Sequence, residues 1–493
     1  MKKNLLKFIL LLIAQGILSF TYANMLNVPA QHTTIQAALD NALAGDTILV
    51  QPGTYTENIT WPAVNGIKLI SAGDSSNTII DGNSSGRVIY FPSGGGIDTT
   101  TIIKGFTITN GLSTSSWYGA GIYIQSSSPL ITEVAITNNI VTDTRSYGAG
   151  VSTSNSDAIF RNVSISGNIA KSTGRNYGGG LYASSSNLML ENVEITNNIL
   201  DTISRSYGGG IYVTSSSNFT MKNVYITNNK VYGTSFTYAG GIYIDDANTN
   251  MENVLIASNY LYKASGTMYG GGIFILGDST INITNTTIAG NYGSSTSING
   301  SGISSFSTAG SINLTNSILW NDQSTMSETY GVTINATYSD IRGGLAGTGN
   351  IDTLPGFVSS SDFHLTNTSP CVNQGTIVGA TSHDIEGTIR DAFPDMGAYE
   401  RVNPVGIATS FIKKEALVIY PNPANDIARI KMHHSKITSY QLYDLTGKQI
   451  MNVQEVNQGE IIIPKSEVPS SGIYFIHVTD NNYQNHTQKL VFN

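Results

Sequence analysis

Arg145, Arg175 and Arg205 each stand two residues ahead of a tyrosine, namely Tyr147, Tyr177 and Tyr207. A guanidinium offers a rigid fork of donors that pairs with carboxylate or sulfate. Three in register would repel one another, so something must compensate. Asp143 and Asp201 are close in sequence; an acidic polysaccharide would serve as well. Tyr182, Tyr212, Tyr243 and Phe274 recur with the same period, and Tyr123 lies one unit beyond Ser152. Pointing outward, such rings suit the face of a sugar, although stacked tyrosines also stabilise a sheet without any ligand.

A second constellation is acidic. Asp245, Asp246 and Asp278 each follow the first strand of a unit. Converging carboxylates bind Ca²⁺ or share a proton, and glycoside hydrolysis needs two at a set separation. Aspartate is also a common turn former, so the catalytic and the purely structural roles both stay open. No Cys/His cluster has zinc spacing. Residues 24–410 hold three histidines, His32, His364 and His383, all outside the repeats. Cys371 is the only cysteine, so stability must come from packing and not from an internal disulfide.

These residues sit on a repeat. Tyr118, Tyr147, Tyr177, Tyr207, Tyr238 and Tyr269 open successive units of about thirty residues, each beginning Tyr-Gly-x-Gly or a close variant. The units close on Asn139, Asn168, Asn198, Asn229, Asn259 and Asn291, with Asp322 expected in that place in the last unit. Apolar residues alternate with period two, as in Ile211-Tyr212-Val213, which predicts short strands. Such strands bury a face only by stacking on copies of themselves, which predicts an all-β solenoid with coils ~4.8 Å apart. Stacking then forms columns. One is Asn162, Asn192, Asn223, Asn253, Asn285 and Asn316, an amide ladder. Another, Arg161, Glu191, Lys222 and Glu252, alternates in sign. Ahead of the repeat, Thr33-x-x-Gln36 predicts a capping box on a short helix with Ile35, Ala38, Leu39, Ala42 and Leu43 on its apolar face. That helix is expected to cover the N-terminal end of the solenoid.

Composition agrees. Only 12% of the 493 residues are charged and 51 are glycine, against about 25% charged in an average globular protein. Helix-rich folds need more Lys, Glu and Arg on their wet faces. The net charge of −8 argues against a nucleic-acid partner.

Residues 1–23 read as a signal peptide. Lys2, Lys3 and Lys7 precede or interrupt an apolar run ending near Phe20, and Ala23 supplies a small cleavage residue. No other segment approaches the ~20 apolar residues of a membrane span, so none is expected after cleavage. The expected organisation is a solenoid over 24–345, a cap over 346–400, a linker over 401–415 and a small β-sandwich over 416–493.

The text Ile35-Gln36-Ala37-Ala38, Pro52-Gly53-Thr54-Tyr55, Thr78-Ile79-Ile80-Asp81-Gly82 and Gly105-Phe106-Thr107-Ile108-Thr109-Asn110-Gly111 resembles right-handed parallel β-helix proteins of the pectin-lyase-like class. Asp362-Phe363-His364-Leu365, Ser369-Pro370-Cys371-Val372, Arg390 and Asp395-Met396-Gly397-Ala398-Tyr399-Glu400 resemble the closing segment of secreted β-helix proteins of the choice-of-anchor type. Tyr420-Pro421-Asn422-Pro423-Ala424, Leu445-Thr446-Gly447-Lys448 and Ser471-Gly472-Ile473-Tyr474 resemble the type A sorting domain of the bacterial type IX secretion system. The last resemblance implies export through that machinery to the outer surface or beyond. The first implies either a polysaccharide lyase or hydrolase, or a non-catalytic surface protein. The reading favoured on the uniformity of the repeats is a binding protein for glycan or a surface partner.

Overall fold

The computed structural model describes residues 23–401 and 417–493, except 116, 216–217, 264–266, 295–297, 307–309, 322–326, 433–434 and 482–484. All but the last residue of the expected signal peptide, most of the expected linker and Asp322 lie outside the described residues. The chain divides into two compact units, the division falling between 402 and 403 in sequence.

One coil shows how the first unit is built. Tyr147 leads through glycines into Val151–Ser154, then Ile159–Ser166, then Ile169–Tyr177. Each strand pairs in parallel with its equivalent one repeat later: Val151 with Leu181, Phe160 with Leu190, Ala170 with Leu200. The period-two pattern points Phe160, Val163 and Ile165 inward, where they are almost fully buried; each contributes roughly 1.5–3 kcal/mol of burial. Asn162 bends its strand by adopting φ +53°, and Asn192, Asn223 and Asn253 repeat that bend at φ 52–54°. Asparagine tolerates the left-handed region better than most side chains. At the corner before the next strand stands Gly178, φ +65°, where a Cβ would lie 2.2 Å from the Leu181 carbonyl oxygen.

Inside each coil the closing asparagine is fully or almost fully buried. Asn168 accepts on Oδ1 from both the N–H (3.1 Å) and Nδ2 (3.0 Å) of Asn139. Asn168 passes the same two bonds to Asn198, and the pattern continues through Asn229, Asn259 and Asn291. The ladder then reaches Asn321, not Asp322. The reason is the direction of the bonds: each rung must donate from Nδ2, and a carboxylate has no donor.

The helix spans Ile35–Asn41 and buries Ile35, Ala38 and Leu39 against the first strands. Its N-cap is Thr34 and not Thr33, with Thr34 Oγ1 accepting from Ala37 N–H. The expected capping box is absent because Glu57 takes the first N–H groups, those of Ile35 and Gln36. Leu43 stays exposed. Ahead of the repeat, Ile102–Lys104 and Thr107–Thr109 are two short strands parted by Gly105 at φ +83°.

Residues 355–400 lie along the outside of the later coils. Phe363, Ile385, Ala398 and Tyr399 pack on Leu255, Ala257 and Ala289. In the second unit the strands pair antiparallel: three strands, Val418–Tyr420, Ile427–Lys431 and Glu460–Pro464, and a four-stranded sheet closing on Asn485–Phe492, with one isolated parallel bridge between Ala424 and Phe492. Its core includes Ile430, Leu442, Ile476 and Phe492.

Candidate functional site

The Tyr-Gly-x-Gly corner places two aromatic columns side by side. Tyr118, Tyr147, Tyr177 and Tyr207 stack at ring-centroid distances of 4.9, 4.9 and 5.0 Å. Tyr182, Tyr212, Tyr243 and Phe274 form the second stack, at 5.5, 4.9 and 5.0 Å. The columns meet edge to face, as Tyr177 meets Tyr212 at 79°. This changes the sequence expectation. The second column does point away from the solenoid core, but it is buried, Tyr212 being 6% exposed. The first column covers it and is itself half-buried. Burial pushes the phenols of Tyr182, Tyr212 and Tyr243 strongly up.

The arginines stand on the solvent side of this ridge. Arg145 pairs in register with Arg175, and Arg175 with Arg205. Arg145 and Arg175 are exposed and Arg205 is half-buried. Asp143 and Asp201 do not compensate them: Asp143 is engaged with Thr144, and Asp201 faces Lys171 at 3.9 Å. A bulge between Asp143 and Arg145 separates the acid from the column. None of the three arginines forms an ion pair among the described residues. They lean on π-systems and phenols instead. Arg145 lies 5.3 Å from the ring of Trp117, and Arg205 lies 5.0 Å from Phe236. A hydrogen bond with Tyr177 is the largest of the effects that raise the pKa of Arg175. Trp117 and Phe236, each 39% exposed, close the two ends of the column. The sequence did contain this signal, since Phe236 occupies the arginine position one repeat after Arg205.

Beside the column, on the same strands, a groove of about 700 Å³ is lined by Thr142, Thr144, Lys171, Ser172, Thr202 and Ile203 among others. The buried hydroxyl of Ser172 has no hydrogen-bond partner there.

The acidic constellation is arranged differently. Asp245 Oδ2 accepts from the Tyr212 hydroxyl at 2.9 Å and from Thr214 Oγ1 at 3.3 Å. Burial raises its pKa. Asp246 Oδ1 accepts from the Asp278 backbone N–H at 3.0 Å. Among the described residues no three His, Cys, Asp or Glu side chains converge as metal ligands.

The closing segment contributes a cluster that the sequence pattern did not single out as a site. His364 Nδ1 is 2.6 Å from Asp362 and Nε2 is 3.3 Å from Glu386. Burial lowers the pKa of His364, but the bonds to Asp362 and Glu386 outweigh it and raise the group. The ring also lies against Tyr399, 3.9 Å between centroids and tilted by 34°. Glu386 in turn helps to line a cleft of about 400 Å³ with Asn162, Asn192, Glu194, Asn223 and Tyr225.

A family described as the right handed beta helix region matches residues 89–288 and 166–346, together more than half of the chain, and the chain belongs to that family. A secretion system C-terminal sorting domain matches residues 418–493. Such a domain marks a protein delivered by the type IX system to the cell surface or outside it. Among the described residues no helix is long and apolar enough to cross a membrane. No curated protein matches the sequence. Among solved structures, pectate lyase Pel9A is 14% identical, with a TM-score of 0.43 over 78% of this chain and 98% of that one. A pectin methylesterase mutant in complex with hexasaccharide IV is 13% identical, with a TM-score of 0.27 over 55% and 80%.

Proposed function

We propose that this exported β-helix protein is a non-catalytic binder of acidic polysaccharide, held along the column Arg145–Arg175–Arg205. One observation carries the reading: three in-register guanidinium groups on an acidic protein have no carboxylate partner among the described residues. Like charges ~4.8 Å apart on adjacent strands are unfavourable. A polyanion lying along the solenoid axis relieves that repulsion through charge-assisted pairs. Tyr147, Tyr177 and Tyr207 back the column, and the neighbouring threonine-lined groove offers hydroxyls to uncharged parts of the glycan. Tyr182, Tyr212 and Tyr243 support the ridge from beneath and do not present a free face.

A lyase or hydrolase reading would assign chemistry to Asp245, Asp246 and Asp278. Asp245 spends its carboxylate on Tyr212 and Thr214, which favours binding over catalysis. The test is retention on immobilised polygalacturonate and chondroitin sulfate. Arg145→Ala, Arg175→Ala and Arg205→Ala combined should release the protein at far lower salt. Undiminished retention would sink the proposal, and release of unsaturated or reducing products would restore the enzyme reading.

A further inference from the structure

Residues 376–383 run over the outer asparagine column in the direction opposite to the order of the coils. Asn316 donates Nδ2–H to the Thr376 carbonyl at 2.7 Å and accepts from the Thr376 N–H at 2.8 Å. Asn285 accepts from the Thr381 N–H at 3.2 Å. Asn253 donates to the His383 carbonyl at 2.7 Å, and accepts from Thr381 Oγ1 at 2.8 Å and Arg390 Nη2 at 3.2 Å. Residues 377–380 loop away in a turn closed by the Ala380 N–H to the Ile377 carbonyl, with Gly379 at φ +81°. The three amides therefore hold Thr376, the short run Thr381–His383 across Asn285 and Asn253, and one guanidinium.

At Asp384 the chain leaves this path. Asp384 Oδ1 accepts from the N–H groups of Glu386 (2.9 Å) and Thr388 (2.7 Å), Gly387 takes φ +89°, and Ile389 returns antiparallel to His383. The column does not end there. Asn223, Asn192 and Asn162 keep the same left-handed bend and bond amide to amide, at 3.1, 2.9 and 3.0 Å going outward from Asn253. Bonding and cover differ. Under the closing segment Asn253, Asn285 and Asn316 share no amide-to-amide bond and turn to residues 376–383 instead, with Asn285 Nδ2 buried and unpartnered. The open rungs bond one another, and each keeps a second N–H free to donate, as Asn253 does to His383. Asn253, Asn285 and Asn316 are 4%, 0% and 0% exposed, whereas Asn223 is half-buried and Asn192 and Asn162 are exposed. The open rungs lie in the cleft walled by Glu194 and Glu386, with Tyr225 beside them.

We propose that the open amides of Asn162, Asn192 and Asn223 dock an extended peptide bearing basic side chains, supplied by a partner protein. It would continue the path that the chain's own closing segment vacates at Asp384. Backbone bonds to the amides supply affinity, as in other modes of extended-peptide recognition, and side-chain pockets supply specificity. The two glutamates set the sign of those side chains. Arg390, already seated on Asn253, shows that the column accepts a guanidinium. This surface is separate from the arginine column.

The test uses the full secreted chain and a fluorescent decapeptide of alternating Thr and Arg, read by anisotropy. Binding is expected, with none for the Thr–Glu counterpart. Asn192→Gly with Asn223→Gly keeps the bend, since glycine tolerates it, and should weaken binding by roughly tenfold or more through lost hydrogen bonds. Glu386→Gln should weaken binding and flatten its salt dependence. The triple arginine variant should bind the peptide normally, which keeps this result apart from polysaccharide binding. If the double glycine variant fails to fold, hydrogen exchange on the unaltered chain decides: peptide should protect 160–165, 191–195 and 222–226. The proposal is overturned if the Thr–Arg peptide does not bind, if the glycine variant binds equally, or if neutral xylohexaose competes as strongly as unlabelled peptide.

Discussion

Asn321 gives both its backbone N–H and its Nδ2–H to the carboxylate of Glu328, at 2.7 and 2.8 Å. Every rung of the inner ladder points its donors the same way, so the last one needs an acceptor with nothing further to donate. A carboxylate meets that requirement. Ser301 Oγ adds a third bond at 3.2 Å, and Arg342 Nη1 lies 3.7 Å away. Glu328→Ala should therefore orphan two buried donors on Asn321, at roughly 1–3 kcal/mol for each. Urea unfolding followed by tyrosine fluorescence would measure the loss. A change below half a kcal/mol would show that water replaces the carboxylate.

Burial carries Glu328 from its ordinary 4.5 up to about 7. It likewise raises Asp340 from 3.8 to about 6 and Glu400 from 4.5 to about 7. These groups hold their proton more tightly in the folded chain than in the unfolded one. Their contribution is complete below about pH 4, and is lost as pH rises through 6 to 7. His364, also raised, acts in the same direction. The lowered group Asp362 loses its contribution only on acidification below about 4. Calorimetry should then show Tm falling between pH 5 and pH 8, and falling less steeply in Glu328→Ala. A Tm that rises over this interval would contradict the assignment.

The two asparagine columns should respond unequally to substitution. Asn198 is fully buried and makes bonds to Asn168, Asn229 and the Ile165 carbonyl. Asn198→Ala strands several of these groups, at roughly 1–3 kcal/mol each. Asn192 is exposed, and water can replace its amide partners. Asn192→Gly should cost less than about 1 kcal/mol, mostly unfolded-state entropy. Comparable losses at both positions would mean that the outer ladder bears more of the fold than its exposure implies.

Much of this was legible in the chain. The repeat fixed the register, since Arg161, Glu191, Lys222 and Glu252 fall in one column, with ion pairs of 2.7 Å and 3.3 Å. The alternation resolves into two pairs instead of a continuous chain of charges, because side chains choose one neighbour. What the sequence hid was cover. Tyr182 and Tyr212 have the spacing of surface residues, and only the neighbouring column of Tyr147 and Tyr177 shows that they are buried. The footprint of the closing segment did leave a trace. Along one strand position Glu194 and Tyr225 give way to Leu255, in register, where solvent gives way to Phe363 and Ile385. Reading that change requires knowing which segment returns there, a contact more than a hundred residues away in sequence.

The aromatic ridge predicts a separation between stability and binding. Tyr212→Phe removes the bond to Asp245 while keeping the ring stack, and should cost about 1 kcal/mol. Tyr212→Ala removes a ring packed between Tyr182 and Tyr243 and should cost about 3–5 kcal/mol. Neither change touches the arginine column directly. Salt-elution position on polygalacturonate should be unchanged for Tyr212→Phe, and a large shift would place Asp245 within the binding surface.

Arg390 fastens the closing segment to the solenoid. Its side chain is fully buried, 3.0 Å from Glu400, and also reaches the carbonyls of Gly397 (2.9 Å) and Ala398 (3.2 Å) as well as Asn253. The planar fork serves these acceptors together, and a lysine ammonium has neither the spread nor the number of donors. Arg390→Lys should thus behave as a broken site and not as a conservative change. Arg390→Ala leaves the Glu400 carboxylate buried without its partner, at about 3–5 kcal/mol. The loss should be local first, because the inner ladder and the coils before Asn253 make no contact with this side chain in the bonds described. Limited proteolysis is expected to cut both variants within 376–400 while the earlier coils stay intact. Uniform cleavage across the solenoid would show instead that the segment is needed for the whole fold.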